Sequence, residues 1–207
     1  MRPKERCELC DLRVSVAIYE VKPRARRDGE SFRSFCTHES RHESKLMRST
    51  EEIIDELPPE RIEARRIMSG IEYMRKIMTG ELPPSGMVQL LNLKLVEVSE
   101  GHAVFTVQPD ERHYNGLGIA HGGLAATLLD SALGCAINAM MPAGKVFTTL
   151  EMKINYLRPI TRDRGEVRCE ANVIHVGGRV ATAEGKIMDE SGKLYAHGTA
   201  TCMLFRP

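Results

Sequence analysis

The chain has 207 residues, with 29 Lys and Arg against 28 Asp and Glu for a net charge of +1. That balance gives no electrostatic case for nucleic acid or an anionic membrane as the main partner, and the length allows one ordinary domain plus an extension, with mass enough for a proper core. Residues 1–6 are charged and lack the apolar stretch of a secretory signal, and the most apolar run, 124–141, is interrupted by Asp130, Ser131 and Asn138, so a cytoplasmic protein with no membrane association is expected.

In chain order, residues 1–48 carry Cys7-Glu8-Leu9-Cys10, a strand-like stretch at 14–19, and then Cys36-Thr37-His38-Glu39-Ser40-Arg41-His42. Two cysteines separated by two residues form a metal knuckle, and the returning Cys36 with a nearby histidine completes a tetrahedral soft-ligand set. A structural zinc on Cys7, Cys10, Cys36 and His38 is therefore expected. The fourth ligand stays open among His38, Glu39 and His42. A segment of about 40 residues is too small for a sound core, and a metal would supply the missing folding energy. The rival readings are a Cys-x-x-Cys redox pair, which has no thioredoxin-like strand and helix around it, and reduced cysteines in a partly disordered tail. Residues 1–50 hold 12 Lys and Arg against 8 Asp and Glu, too small an excess to predict DNA binding.

Residues 49–84 read as an amphipathic helix and linker. Ile62, Ile67, Ile71, Met74, Ile77 and Met78 recur at roughly helical spacing over 60–78, opened by Pro58-Pro59 and closed by Gly80. A single helix is expected, packing on a sheet or lining a subunit contact.

From residue 85 the pattern changes to strands. Residues 93–98 and 102–107 alternate apolar and polar side chains about Glu100-Gly101. After one long apolar helix come 146–157, 166–176, 180–188 and 194–205, separated by Asp163-Arg164-Gly165, Gly177-Gly178 and Ser191-Gly192. Two strands, a buried helix and four more strands predict an α+β fold, an antiparallel sheet curled around the helix. Cys135, Cys169 and Cys202 fall on these elements and read as small buried hydrophobes in a reducing compartment.

The chemistry gathers in His113-Tyr114-Asn115-Gly116-Leu117-Gly118-Ile119-Ala120-His121-Gly122-Gly123, just before the helix. Gly122 and Gly123 stand where loop turns into helix, so backbone N–H groups there can point at a ligand with the helix dipole behind them. Lacking a side chain, glycine also lets a substrate carbonyl approach closely. Ala125, Ala126, Ala132, Gly134, Ala136 and Ala139 make the helix small-sided and apolar nearly all round, as for a buried helix. Asp130 is the lone carboxylate in this apolar wall, where a charge is costly unless hydrogen-bonded or shifted. The plainer alternatives are a satisfied helix aspartate, turn roles for His113 and Asn115, and a capping role for His121.

This stretch resembles the hotdog-fold acyl-CoA thioesterases of the phenylacetate-pathway type, within the wider 4-hydroxybenzoyl-CoA thioesterase superfamily. Their pattern of His-x-Asn, a glycine, His-Gly-Gly and Leu-x-Asp-x-Ala-x-Gly is supplied here by His113-x-Asn115, Gly118, His121-Gly122-Gly123 and Leu128-x-Asp130-x-Ala132-x-Gly134. Residues 148–159, ending in Leu157-Arg158-Pro159, resemble the family's long central strand and its corner. His175-Val176-Gly177-Gly178-Arg179 and Ala196-His197-Gly198-Thr199-Ala200-Thr201 resemble its last hairpin segments. The likeness covers 85–205, with Gly116 where the family often has proline.

The resemblance implies a hotdog domain over 85–207 that hydrolyses an acyl-CoA thioester to free acid and coenzyme A, with no cofactor required for catalysis. The Gly122 N–H would hold the carbonyl oxygen as charge develops, and Asp130 would act as general base on water or attack directly. Asn115 would lie beside the thioester or the water, and Thr149, or Thr148 in a neighbouring register, would orient the water. His113, His121 and Gly123 would contact substrate, with Arg158, Gly177, Gly178 and Arg179 serving the coenzyme A arm and phosphates. The site would straddle a homodimer, acid from one subunit and glycine turn from the other, in a dimer of dimers. Two alternatives stay open. One is a non-catalytic acyl-CoA sensor signalling through the N-terminal segment, which would have no need of Asp130. The other is a hotdog dehydratase, which the His-Gly-Gly spacing fits less well.

Overall fold

A computed structural model of the chain describes residues 59–206. The N-terminal segment, and with it the expected ligands Cys7, Cys10, Cys36, His38, Glu39 and His42, lies outside the described residues. Three helices come first, α1 Pro59–Ile67, α2 Gly70–Thr79 and α3 Gly86–Leu90. They lead into β1 Lys94–Ser99 and β2 His102–Val107, the long helix α4 Gly122–Ala139, and then β3 Val146–Tyr156, β4 Val167–Val176, β5 Val180–Asp189 and β6 Leu194–Phe205. The six strands form one antiparallel sheet in the order β1-β2-β4-β5-β6-β3. This is the α+β, hotdog arrangement that the sequence pattern predicts.

The sheet encloses α4. Leu128, Leu129, Ala132, Leu133, Ala136 and Ile137 are fully buried, and each buried Leu or Ile contributes about 1.5–3 kcal/mol relative to exposure. The helix can sit close because Gly185 of β5 and Gly198 of β6 face each other in register. A Cβ at Gly185 would lie 3.3 Å from Leu129, and one at Gly198 would lie 2.6 Å from the Lys153 carbonyl oxygen. The glycine pair therefore makes the hollow in which Leu129 packs.

The single helix expected over 60–78 is broken at Ser69. The Ser69 N–H donates to the Glu72 carboxylate at 2.9 Å while the Ser69 hydroxyl accepts the Glu72 N–H, a reciprocal cap that starts a new helix. The break seats α2 on the end of α4. The Gly70 N–H donates to the Met141 carbonyl at 2.8 Å, and a Cβ on Gly70 would lie 1.6 Å from the Asn138 carbonyl oxygen.

One irregularity in β3 positions the site. Thr149 faces Cys202 and Glu151 faces Thr201, so Leu150 is an extra residue bulged out of the ladder. The bulge resets the alternation. Phe147 and Thr149 face α4 before it, and Met152 and Ile154 face the core after it. An unbroken period of two would have turned Glu151 inward instead.

Candidate active site along one helix

Helix α4 begins at Gly122, two residues before the expected start, because His121 caps it with Nδ1 accepting the Gly123 N–H at 2.9 Å. The cap occupies the Gly123 donor, whereas the Gly122 N–H has no protein acceptor among the described residues. Tyr156, at the end of β3, donates its O–H to the Gly122 carbonyl at 3.3 Å and stands 3.5 Å from where a Gly122 side chain would be. A cleft of about 460 Å³ opens here, lined by Asn115, His121, Gly122, Tyr156, Arg158 and Tyr195 among others. A free N–H backed by the positive end of a helix suits an oxygen that gains charge during reaction.

The loop feeding the cleft is braced by its own polar groups. Asn115 Oδ1 accepts the Leu117 N–H at 2.8 Å, closing an Asx turn, so its amide nitrogen is the group left for a ligand. His113 is buried, with Nδ1 accepting the Asp110 N–H at 3.0 Å and Nε2 donating to the Leu91 carbonyl at 3.1 Å. With both ring nitrogens occupied it holds the loop from behind and does not line the cleft. The His121 N–H in turn donates to the His113 carbonyl at 2.7 Å.

Asp130 lies eight residues along α4 from Gly122, about 12 Å at 1.5 Å per residue, and does not line this cleft. Composition suggests an acid enclosed in an apolar wall, but in the protomer Asp130 is exposed. The sheet and α2 leave one flank of α4 open, and Asp130 is on it. Thr149 rather than Thr148 reaches the acid, its O–H donating to Asp130 Oδ1 at 3.0 Å. The Cys202 thiol meets the same hydroxyl at 3.8 Å, and burial pushes that thiol's pKa up, so it stays protonated.

The remaining expected residues divide between the two ends of the sheet. Arg158 lines the cleft and donates from Nη1 to the Leu194 carbonyl at 2.6 Å. Gly177, Gly178 and Arg179 form the β4–β5 hairpin, closed by the Gly177 N–H on the Val180 carbonyl at 2.8 Å. Val180 pairs with Met203, which pairs with Thr148, so the hairpin is about 26 Å from the Tyr156 end at 3.3 Å per residue. Within one protomer it does not meet the cleft.

Two tyrosines were not singled out by sequence. Tyr156 ties the start of α4 to β3. Tyr195 accepts the Leu157 and Arg158 N–H groups on its carbonyl at 2.8 and 3.2 Å, fixing the cleft wall, and donates its O–H to Asp189 Oδ2 at 2.9 Å. Nothing local in the sequence marks either, since both act through strands distant in the chain. Among the described residues no group of three or more His, Cys, Asp and Glu is placed to hold a metal ion, and no helix is long and apolar enough to cross a membrane.

Comparison with known proteins decides the family. Residues 117–196 match the family model described as Thioesterase superfamily. A solved structure of a variant of the phenylacetic acid degradation protein PaaI from Thermus thermophilus is 30% identical, with a TM-score of 0.53 over 57% of this chain and 98% of its own. The chain belongs to the thioesterase superfamily. Relatives of this thioesterase include 1,4-dihydroxy-2-naphthoyl-CoA hydrolase of Listeria monocytogenes, 28% identical over 53% of this chain and 87% of its own. Acyl-coenzyme A thioesterase 13 of Mus musculus is 28% identical over 63% of this chain and 93% of its own. The hotdog fold and the thioester hydrolase class expected from the motif are those of the superfamily.

Proposed function

We propose that this thioesterase hydrolyses an acyl-CoA to free acid and coenzyme A across a homodimer interface, Asp130 of one subunit acting with Gly122 of the partner subunit. The observation that carries the reading is the separation along α4. A helix-start donor and a hydroxyl-held acid suit one reaction, yet stand about 12 Å apart within a chain, too far to share one carbonyl. The relatives named as CoA thioester hydrolases support the substrate class.

In the water route Asp130 takes a proton from water as the water oxygen attacks the thioester carbon. The carbonyl electron pair moves onto oxygen at the Gly122 N–H, and collapse breaks the C–S bond, the departing thiolate taking up a proton. In the direct route an Asp130 oxygen attacks, coenzyme A leaves, and water cleaves the resulting mixed anhydride. Both routes use only protein groups and water. Thr149 fixes the Asp130 carboxylate, the Asn115 amide lies beside the thioester, and His121 and Gly123 set the donor.

β3 is an edge of the sheet, with Leu150 57% and Tyr156 56% exposed, an edge that needs covering. Two such edges paired antiparallel bring the Thr149 region of one β3 toward the Tyr156 end of the other, and with it the acid toward the partner's cleft. The same pairing brings the Gly177, Gly178 and Arg179 hairpin to the end that carries Arg158 of the partner subunit, and these groups serve the coenzyme A arm. A dimer of dimers is the next level of assembly in this reading.

The test is release of free coenzyme A from a panel of acyl-CoAs by wild type and Asp130→Asn. Loss of roughly 10²-fold or more in the variant, with its unfolding midpoint retained, is expected. Undiminished turnover removes Asp130 from the mechanism, and tight binding by wild type without turnover favours a sensor.

In the same reading the chain comprises a zinc-bearing segment at 1–48, a helical connection at 49–84 and the hotdog domain at 85–207. Cysteine spacing supports zinc on Cys7, Cys10, Cys36 and His38, with His42 as the alternative fourth ligand. Elemental analysis should find about one zinc per chain, and a metal-free protein whose first segment resists protease would sink the idea. The thiols of Cys135, Cys169 and Cys202 support a reducing, cytoplasmic setting.

A further inference from the structure

A second cavity, also about 460 Å³, lies between α2, β1 and α4. Met74, Ile77, Val88, Leu95, Phe105 and Phe147 line it, which makes it an apolar chamber of ligand-pocket size. Most of these residues precede the stretch matched to the superfamily, 117–196, so that match does not account for the chamber.

Two features connect it to the acid. Phe147, in its wall, and Thr149, bonded to Asp130, face α4 from the same strand two residues apart. Cys135, also in its wall, lies five residues beyond Asp130 on α4, about 7.5 Å along the axis. An acyl chain whose carbonyl stands at Asp130 would enter the chamber past the Phe147 ring, which packs on Gly134 between them. Desolvation pushes the Cys135 thiol up to about 12, so this side chain serves as wall rather than nucleophile.

The chamber is not apolar throughout. Asn138 lines it and is 4% exposed. Its side-chain amide offers both a donor and an acceptor among the apolar lining groups. Two guanidinium groups also line the chamber around Tyr73, Arg61 donating from Nε to its hydroxyl at 3.2 Å and Arg65 lying 4.6 Å over its ring. Amide and cations together suit an oxygen-bearing end.

Resting on the thioesterase reading, we propose that this chamber receives the distal part of the acyl chain and selects chains of medium length that end in a hydroxyl or carboxyl, which Asn138 hydrogen-bonds. The test is kcat/KM for butyryl-, decanoyl-, 10-hydroxydecanoyl- and decanedioyl-CoA with wild type, Asn138→Leu and Val88→Trp. Wild type should prefer the oxygenated ten-carbon substrates, the two of them separating hydroxyl from carboxyl recognition. Asn138→Leu should cut that preference over decanoyl-CoA about tenfold or more, and Val88→Trp should lower the ratio of ten-carbon to butyryl turnover by a similar factor, about tenfold. A preference that survives Asn138→Leu, or a ratio that survives Val88→Trp, overturns the proposal. If wild type turns over none of the four, the thioesterase reading fails separately, and fluorescence of bound 11-(dansylamino)undecanoic acid decides the chamber. Binding that 10-hydroxydecanoic acid displaces and Val88→Trp weakens upholds it, and any other binding result overturns it.

Discussion

At Asp130 one hydroxyl sets the geometry of the acid. The Thr149 O–H reaches Oδ1 at 3.0 Å, and a hydrogen bond to a charged group is worth about 1.5–3 kcal/mol, where tenfold in rate needs about 1.4 kcal/mol. Thr149→Val should therefore lower kcat about tenfold with little change in KM, and Thr149→Ser should recover most of it in steady-state kinetics; a valine variant at full rate would reduce Thr149 to packing. The choice between Thr148 and Thr149 was not legible in sequence, because neighbouring threonines are chemically alike and only the strand register tells them apart. Asp189 acts on the cleft at one remove, through Tyr195. The Ser191 hydroxyl foremost, with the Lys193 N–H and the Tyr195 hydroxyl, holds its carboxyl down at about 2 against the cost of desolvation. Its folded value lies below the ordinary one, so its stabilisation is complete above about pH 4 and is lost as pH falls through about 2. Acid unfolding of Asp189→Asn should accordingly show a shallower loss across that window, and an acid limb matching wild type would dismiss the contribution.

At the scale of elements, the junctions of α4 matter more than its interior. Gly70 sits against the far end of that helix with no room for a methyl group, and forcing one in costs about 1–3 kcal/mol. Gly70→Ala should lower the unfolding free energy by that amount, read as a lower urea midpoint at an unaltered m-value, whereas an unchanged midpoint would mean that α2 lifts away freely. The Ser-x-x-Glu signature of this junction, Ser69 to Glu72, stands in the sequence, yet continuous apolar spacing through 60–78 masks it. Periodicity measures only which face is apolar, and two helices meeting at an angle can preserve that pattern. Gly122 and Gly123 at the start of α4 were legible for the opposite reason, since their role depends on a local turn from loop to helix.

At the scale of the whole molecule, Asp130 and the Gly122 N–H stand apart in one chain, and in the proposed dimer the β3 edge is the seam that unites them. Leu150, bulged outward and 57% exposed, makes few demands on the protomer fold. Leu150→Lys places a cation from each copy near that seam and should shift sedimentation from dimer toward monomer, with coenzyme A release falling to the level of Asp130→Asn. A variant that stays dimeric and active would move the seam elsewhere.

The sequence by itself determined the order of strands and helix, the loop that ends in Gly122 and Gly123, and the presence of Asp130 one face along. Each of these rests on local propensity, turn chemistry or short spacing, which a chain carries wherever it folds. Tertiary structure alone decided that Asp130 is exposed in the protomer, that Leu150 bulges so that Thr149 meets the acid, that Tyr156 and Tyr195 shape the cleft, and that α2 closes a chamber over Asn138. Those features depend on contacts between residues far apart in the chain, and one inserted residue in a strand reverses every side chain beyond it.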